Sequence, residues 1–343
     1  MNGPNYLFVF LKKKYPTRES MFSMLKFTEG APQYFGQICL THRLIFNKKK
    51  IKLHNTLIRK SLFEATFIWK MLLLTSLIMS SCVPENTVPA YIYVPAFKTE
   101  ANIGQGTSAQ KITDVWVYVN GQINGVFPLP ATVPIMELGK QDITLFAGIR
   151  NNGTRSNPVI YPFMNEFKIS KDLISNKLDT VKPVLTYLSR TKFWIVEDFE
   201  TGNNFTYNQD NNNALAFNVV PNGFEGKCIE ANIDKSNPRI EKASRTSAQL
   251  ADNAENIYLE MHYKSEALLS VGIIGFNAAT PQGIVTYKIT LKPNQEWNKI
   301  YINLTNEAKT LQMKDFKIVF EGILAENTSS AKIQIDNVKL IEK

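Results

Sequence analysis

Cysteine and histidine are scarce in this sequence of 343 residues, with three of each. The cysteines are Cys39, Cys82 and Cys228, and the histidines are His42, His54 and His262. So few cysteines exclude a disulfide framework, and they exclude a zinc site of paired cysteines. His262 is the only histidine in residues 82–343, so a serine or cysteine nucleophile there would have no other histidine as its base. Nucleophilic catalysis therefore has little support.

Other common signatures of enzymes are missing as well. No glycine-rich loop lies between a strand and a helix, as nucleotide binding would require. No pair of carboxylates is marked out at the spacing that a glycoside hydrolase uses. Helical periodicity is scarce after residue 82, whereas strand alternation is common. We therefore expect a non-catalytic protein built mainly from β-strands.

Positive charge is confined to the first part of the chain, although the whole sequence has a net charge of +9. Residues 1–81 contain 13 Lys or Arg against 3 Asp or Glu, whereas residues 82–343 contain 26 against 27. The second part is therefore nearly neutral and offers no basic patch of the kind that binds nucleic acid. We expect no nucleic-acid partner.

The stretch "MLLLTSLIMSSC", residues 71–82, resembles a bacterial signal peptide that ends in a lipobox. Its apolar run, residues 71–79, is too short to span a bilayer but fits the hydrophobic region of a signal peptide. Two small residues precede Cys82, and Met79 stands where leucine is usual. The resemblance implies cleavage before Cys82 and acylation of its sulfur. It implies a membrane-anchored protein of the cell envelope, which we expect to be an outer-membrane lipoprotein.

Two alternatives concern this leader. The apolar run could be a buried strand, but the polar and proline-bearing "CVPENTVPA" that follows is typical of a tether. The lipobox also lies unusually far into the chain: either residues 1–60 precede the true start, or the leader has a long basic region. Under both explanations residues 1–81 form the leader. Residues 82–110 are then expected to hold the lipidated tether and a first strand.

Residues 111–190 are predicted to form a first β-sandwich. In "ITDVWVYVNGQINGVFPLP", valines alternate with Trp116 and Tyr118. Two Asn-Gly pairs, at residues 120–121 and 124–125, are typical of hairpin turns. With "GKQDITLFAGIRNNG", which follows, the stretch resembles the PEGA-type, Ig-like sandwich. The resemblance implies a non-catalytic module of the cell envelope.

Residues 193–343 are predicted to form a second β-sandwich, a jelly roll, because alternating strands recur at intervals typical of antiparallel sheets. The nine predicted strands are residues 193–199, 214–220, 228–233, 257–265, 268–276, 284–291, 298–305, 315–324 and 331–341. The two ends, "FWIVEDFETGNNF" and "AKIQIDNVKLIE", resemble galactose-binding-type jelly rolls of the carbohydrate-binding kind. The strand "EWNKIYINL" also resembles one of theirs. The expected fold class is therefore all-β, with two sandwiches after a signal peptide, while the ligand is left open because many members bind no sugar.

Candidate ligand residues lie on two strands of this region, on the faces that point away from the predicted core. A pyranose ring stacks on flat aromatic faces, with amide or acid groups at the rim. The candidates are Tyr258, Glu260, His262, Tyr301 and Asn303. The alternative is that these are ordinary exposed residues of a sheet. Two other aromatic residues, Trp297 and Tyr287, are expected in the core.

The same family resemblance implies a structural Ca²⁺ ion between the first and last strands of the jelly roll. The matching residues are Asp198, Glu200 and Asp336, and carboxylate oxygens are ligands that Ca²⁺ prefers. The inward alternation of the last strand slips at residues 336–337, which predicts a bulge there. Solvated carboxylates beside a plain bulge are the alternative. No other cofactor is expected.

Together these patterns favour a non-catalytic, envelope-anchored lipoprotein that binds a polysaccharide through residues 193–343. The main alternative is a structural or assembly lipoprotein that contacts other envelope proteins. Binding to a glycan array would favour the first function, and binding only to envelope proteins would favour the second.

Overall fold

The computed structural model describes residues 88–343, which contain 21 strands and one short helix. The predicted leader, the lipobox and Cys82 lie outside the described residues. Within residues 88–343 no helix is long and apolar enough to cross a membrane. The described residues belong to one compact unit.

The first sandwich begins at Ala90, so the strand expected within residues 82–110 is part of it. Its ten strands are β1 (Ala90–Val94), β2 (Lys98–Glu100), β3 (Asp114–Val119), β4 (Gln122–Pro128), β5 (Ala131–Ile135), β6 (Gly139–Arg150), β7 (Pro158–Ile160), β8 (Phe167–Leu173), β9 (Leu178–Thr180) and β10 (Val184–Thr186). One sheet has the order β5-β1-β9, and a second has the order β4-β3-β6, with β7 and β8 both paired to β6. A short third sheet pairs β2 with β10. Alternating residues of the first two sheets, such as Ile92 and Val117, meet in one core.

Only one of the two predicted Asn-Gly turns is present. Asn120 and Gly121 have φ angles of 49° and 77° and close the hairpin between β3 and β4, as the sequence predicts. Asn124 and Gly125 lie inside β4 instead, so the prediction of a second turn was wrong. Val117 pairs with Gly125, whereas the next residue of β3 pairs with residue 123, so Asn124 has no partner and the register of the two strands shifts there. A bulge therefore absorbs the second pair.

The second sandwich contains eleven strands and the helix. They are β11 (Lys192–Glu197), β12 (Tyr207–Asn208), β13 (Asn218–Pro221), β14 (Lys227–Asp234), β15 (Arg239–Ala243), β16 (Ile257–Ser265), β17 (Leu268–Asn277), β18 (Thr280–Leu291), β19 (Asn294–Asn303), α1 (Thr305–Leu311), β20 (Asp315–Ile323) and β21 (Ser330–Glu342). One sheet has the order β13-β14-β21-β16-β19, with β11 also paired to β21, and the other has the order β12-β15-β20-β17-β18. Apart from the hairpins β13–β14 and β17–β18, successive strands alternate between the two sheets, and all pairs are antiparallel, which is jelly-roll topology. The predicted all-β fold class is confirmed.

All nine strands predicted after residue 192 are present, with shifted ends. Sequence reasoning missed β15, because "RIEKA" is short and three of its five residues are charged. It also missed β12, which has two residues, and α1, which follows directly on β19. The bulge predicted in the last strand is confirmed, because Glu260 pairs with Lys339 while His262 pairs with Asp336.

The two sandwiches share an apolar cluster, here called the interface cluster. From the first sandwich it contains Tyr161, Phe163 and Tyr187, and from the second it contains Tyr258 and Tyr301. The rings of Tyr161 and Tyr301 lie 5.0 Å apart between centroids, a distance typical of packed aromatic pairs. One outer face of the jelly roll is therefore covered by the first sandwich.

Candidate functional site

Four of the five predicted ligand residues, all except His262, lie against the first sandwich. Tyr258, Glu260, His262 and Tyr301 are 3%, 0%, 2% and 2% exposed, so the expectation that their strand faces are open to solvent was wrong. Asn303 is half-buried, and its amide nitrogen donates to the Tyr258 hydroxyl at 3.1 Å. A buried ring has no free face on which a sugar could stack. This face joins the two sandwiches.

Glu260 is the centre of a buried polar network at this join. Its Oε2 atom lies 2.7 Å from Lys299 Nζ, and its Oε1 atom accepts from the Tyr187 hydroxyl at 2.7 Å and from the Tyr161 hydroxyl. Burial alone would raise the pKa of Glu260, but the ammonium groups of Lys299 and Lys339 hold it at about 2. Glu260 is therefore ionised and ties residues of both sandwiches together.

Two further candidates have structural roles. The Tyr301 hydroxyl donates to Gln110 Oε1 and accepts the backbone N–H of Lys111, both at 2.8 Å. His262 stacks against Phe224 at 3.9 Å between ring centroids. Burial and the charge of Lys299 lower the pKa of His262 to about 3, so the imidazole is neutral at pH 7.

The three predicted calcium ligands do not form a metal cluster. Asp198 and Glu200 are exposed, whereas Asp336 is 0% exposed. The Asp336 carboxylate accepts the backbone N–H groups of Glu225 at 3.0 Å and Asn337 at 2.7 Å, and burial raises the pKa of Asp336 to about 6. In the part of the chain that the structure describes, no group of three or more His, Cys, Asp or Glu side chains is placed to hold a metal ion. Calcium binding stays a prediction.

Another aromatic surface lies on the outer face of the opposite sheet, where sequence reasoning placed no ligand. One cross-strand row runs through Tyr207, Ala243, Val319, Gly272 and Tyr287. Both tyrosines are half-buried, and the three residues between them are small. Tyr287 packs against the small apolar cluster that Ala243 and Val319 form with Ile274.

The sequence placed Tyr287 in the core, and a bulge explains the error. Val271 pairs with Ile289, but Gly272 pairs with Tyr287, so Lys288 is an extra residue in β18. Tyr287 consequently faces outward although Leu291 faces the core. A Cβ atom at Gly272 would lie 2.2 Å from the Thr286 carbonyl oxygen, so the close approach of the two strands requires glycine. A glycine inside a strand was the one sequence signal of this irregularity.

Charged groups hold the Tyr287 hydroxyl in place. The hydroxyl donates to Glu241 Oε1 at 2.5 Å. Arg239 donates from Nη2 to Glu241 Oε2 and from Nε to Glu321 Oε1, both at 2.7 Å. Burial and the neighbouring Glu241 raise the pKa of Tyr287, so the phenol stays protonated. The result is a fixed row of hydrogen-bonding groups beside an aromatic ring.

The opposite end of the same face is also aromatic. Tyr207 packs edge-on against Phe276, with ring centroids 6.3 Å apart, and Lys317 Nζ lies 4.9 Å from the centre of the Tyr207 ring. The name Tyr287 face is used below for the surface formed by Tyr207, Arg239, Glu241, Phe276, Tyr287, Lys317 and Glu321. Flat rings flanked by fixed carboxylate and cationic groups suit a ligand that has apolar faces and a hydroxylated rim.

No protein-family model matches the sequence, and no curated protein matches it. Solved structures similar to the chain include carbohydrate-binding modules. A mutant of the family 29 module CBM29-2 is 12% identical with a TM-score of 0.27, and the match covers 45% of this chain and 85% of that one. The family 11 module of the cellulosomal cellulase Lic26A-Cel5E of Clostridium thermocellum is 20% identical with a TM-score of 0.33, covering 45% of this chain and 97% of that one. TM-scores this low do not fix a ligand for this chain.

Proposed function

We propose that this protein is a non-catalytic lipoprotein of the cell envelope that binds a glycan through the Tyr287 face. The observation that carries the proposal is the position of the Tyr287 ring, half-buried over small residues with its hydroxyl fixed by Glu241. A ring held in this way loses little conformational freedom when a sugar stacks on it. Arg239, which is exposed, would then bind sugar hydroxyls, while the buried carboxylates of Glu241 and Glu321 hold Arg239 and Tyr287 in position.

The carboxylate pair on this face favours binding over hydrolysis. Glu241 and Glu321 face each other on β15 and β20, so their side chains are neighbours on one face of the sheet. A hydrolase needs one carboxyl group of such a pair to be free to donate a proton as a general acid. Here Arg239 donates to both carboxylates and Tyr287 donates to Glu241, so both groups already act as hydrogen-bond acceptors.

The test is a glycan array with the full chain, followed by calorimetry with the best glycan. We expect Tyr287→Ala to weaken binding about 30-fold, the effect of losing a central aromatic contact worth about 2 kcal/mol. Tyr287→Phe keeps the ring and should keep most of the affinity. Tyr118→Ala removes a half-buried tyrosine from the first sandwich and is the matched control.

Unchanged affinity of Tyr287→Ala would contradict this placement of the site. An array without any bound glycan, together with capture of envelope proteins, would instead support the assembly function.

The end of the first sandwich at which the described chain begins supports anchoring through Cys82. Side chains there are apolar and exposed: Val88, Met136, Leu138, Ile174 and Leu178. Their segments are held together, since Ser175 Oγ donates to the Val88 carbonyl at 2.8 Å and Ala90 pairs with Ile135. Five residues lie between Cys82 and Val88, so the two are about 20 Å apart at most. An acyl chain on Cys82 would therefore hold this apolar end at a lipid surface.

A fluorophore at this end should report the bilayer. In the acylated protein bound to vesicles, a polarity-sensitive label on Leu178→Cys should be quenched by lipid-borne nitroxide more strongly than a label on Ile284→Cys. Ile284 is also an exposed apolar residue, but it lies on β18 of the jelly roll. Equal quenching in vesicle-bound protein would contradict lipid contact, whereas an unmodified Cys82 thiol in mass spectrometry would contradict anchoring itself.

A further inference from the structure

A cleft of about 350 Å³ lies between the two sandwiches, away from the Tyr287 face. Its walls come from residues 111–113, from the loop after β6 and from β19. Four of the side chains that line it are cationic: Lys111, Arg150, Arg155 and Lys299. The concentration is notable because residues 82–343 as a whole are nearly neutral.

Two of the four cations have carboxylate partners. Arg150 Nη2 lies 2.9 Å from Asp114 Oδ1, and Lys299 Nζ lies 2.7 Å from Glu260 Oε2. Among residues 88–343, Lys111 and Arg155 take part in no ion pair, and the Lys111 ammonium donates to the amide oxygen of Asn298. Burial and the positive charge of Arg155 lower the pKa of Lys111. The two unpaired cations are therefore close enough to repel each other.

The loop that carries Arg155 is fixed in place. Asn152 adopts a left-handed φ of 53°, and its N–H donates to the Tyr301 carbonyl at 2.9 Å. Its side-chain oxygen accepts the backbone N–H of Asn303, also at 2.9 Å. The guanidinium of Arg150 donates to the Arg155 carbonyl. Both sandwiches thus hold the loop, so the cleft exists before any ligand arrives.

We propose that this cleft binds an oxyanion, a carboxylate, sulfate or phosphate group, between Lys111 and Arg155. An anion placed there relieves the repulsion between the two cations. The guanidinium fork of Arg155 can hold two oxygens of one oxyanion, and the ammonium of Lys111 supplies a charge-assisted hydrogen bond. Such a group could belong to an acidic sugar of a glycan or to a free inorganic anion. The site does not depend on the Tyr287 face.

Calorimetry on the full chain tests the site with four probes: glucuronate, inorganic sulfate, inorganic phosphate and, as a neutral control, glucose. We expect at least one oxyanion to bind and glucose not to bind. Arg155→Ala and Lys111→Gln should each weaken that binding about tenfold or more, since each removes a charged hydrogen bond. Added sodium chloride should weaken it too. If only glucuronate binds, the ligand of the cleft is an acidic sugar of a glycan. If only sulfate or phosphate binds, the ligand is a free inorganic anion.

Arg245→Ala is the matched control, because Arg245 is an exposed arginine of the jelly roll outside the cleft. It should leave the affinity unchanged. Arg155 is exposed, so Arg155→Ala should also leave the thermal midpoint unchanged, which separates lost binding from lost folding. The proposal is overturned if no oxyanion probe binds, or if both cleft variants bind as the wild type does.

Discussion

Replacing Glu260 with alanine should lower the free energy of unfolding by about 3–5 kcal/mol. The carboxylate is fully buried and lies 2.7 Å from Lys299 Nζ. Lys299 is 5% exposed and Lys339 is 1% exposed, so removing Glu260 leaves two cations in a site with little access to water. Two tyrosine hydroxyls lose their acceptor as well. Urea denaturation of the full chain at pH 7, followed by circular dichroism, measures the change.

The effect of Glu260 also depends on pH. Its pKa in the folded protein is about 2, below the ordinary value of 4.5, because the nearby ammonium groups outweigh burial. The stabilisation is therefore present above pH 4.5 and is lost as the pH falls towards 2. Glu296→Ala is the control, since Glu296 is exposed on β19 and should change stability by less than about 0.5 kcal/mol. A loss below about 1 kcal/mol for Glu260→Ala would contradict a buried charge network.

Tyr301→Ala should lower the free energy of unfolding by about 3–5 kcal/mol, as truncation of a buried aromatic residue does. The ring fills the interface cluster and packs against Tyr161. Tyr301→Phe keeps the ring but leaves the Lys111 N–H and Gln110 Oε1 without their partner, which should cost about 1–3 kcal/mol. The same urea measurement compares the two variants.

The glycan affinity of Tyr301 variants separates the structural role from a ligand role. We expect Tyr301→Phe to bind the array glycan as the wild type does, because the residue is 2% exposed. If Tyr301→Phe loses glycan affinity but keeps its stability, the glycan binds at the face of Tyr301 that the sequence predicted, and the Tyr287 face is not the site.

Strand alternation predicted the inner faces of β16 and β21 correctly. Ile257, Leu259 and Met261 lie in the core, and so do the residues on both sides of the bulge in β21. Alternation separates the two faces of a strand, but it does not reveal what covers the outer face. Glu260 and His262 therefore resembled solvated residues, although the first sandwich covers Glu260 and the Phe224 ring stacks on His262. The partners of Glu260 come from the residue that follows β10, from β19 and from the β7–β8 loop, which local patterns do not connect.

The Tyr287 face was missed for a different reason. The bulge at Lys288 reverses the alternation within β18, and only a strand partner shows it. Part of the face also depends on β12 and β15, which are too short to give a periodic signal. The carboxylates Glu241 and Glu321 are far apart in the sequence and meet only because β15 pairs with β20. The sequence therefore predicted the architecture, whereas the candidate site could be identified only from the pairing register of the strands.

Hydroxyl-radical footprinting of the tyrosines, with and without the glycan selected on the array, tests the central claim most directly. Tyr287 and Tyr207 should be oxidised in the free protein and protected when the glycan is present. Tyr258 and Tyr301 should resist oxidation in both samples. Oxidation of Tyr258 and Tyr301 that the glycan suppresses, with no change at Tyr287, would contradict both the covered face and the proposed site.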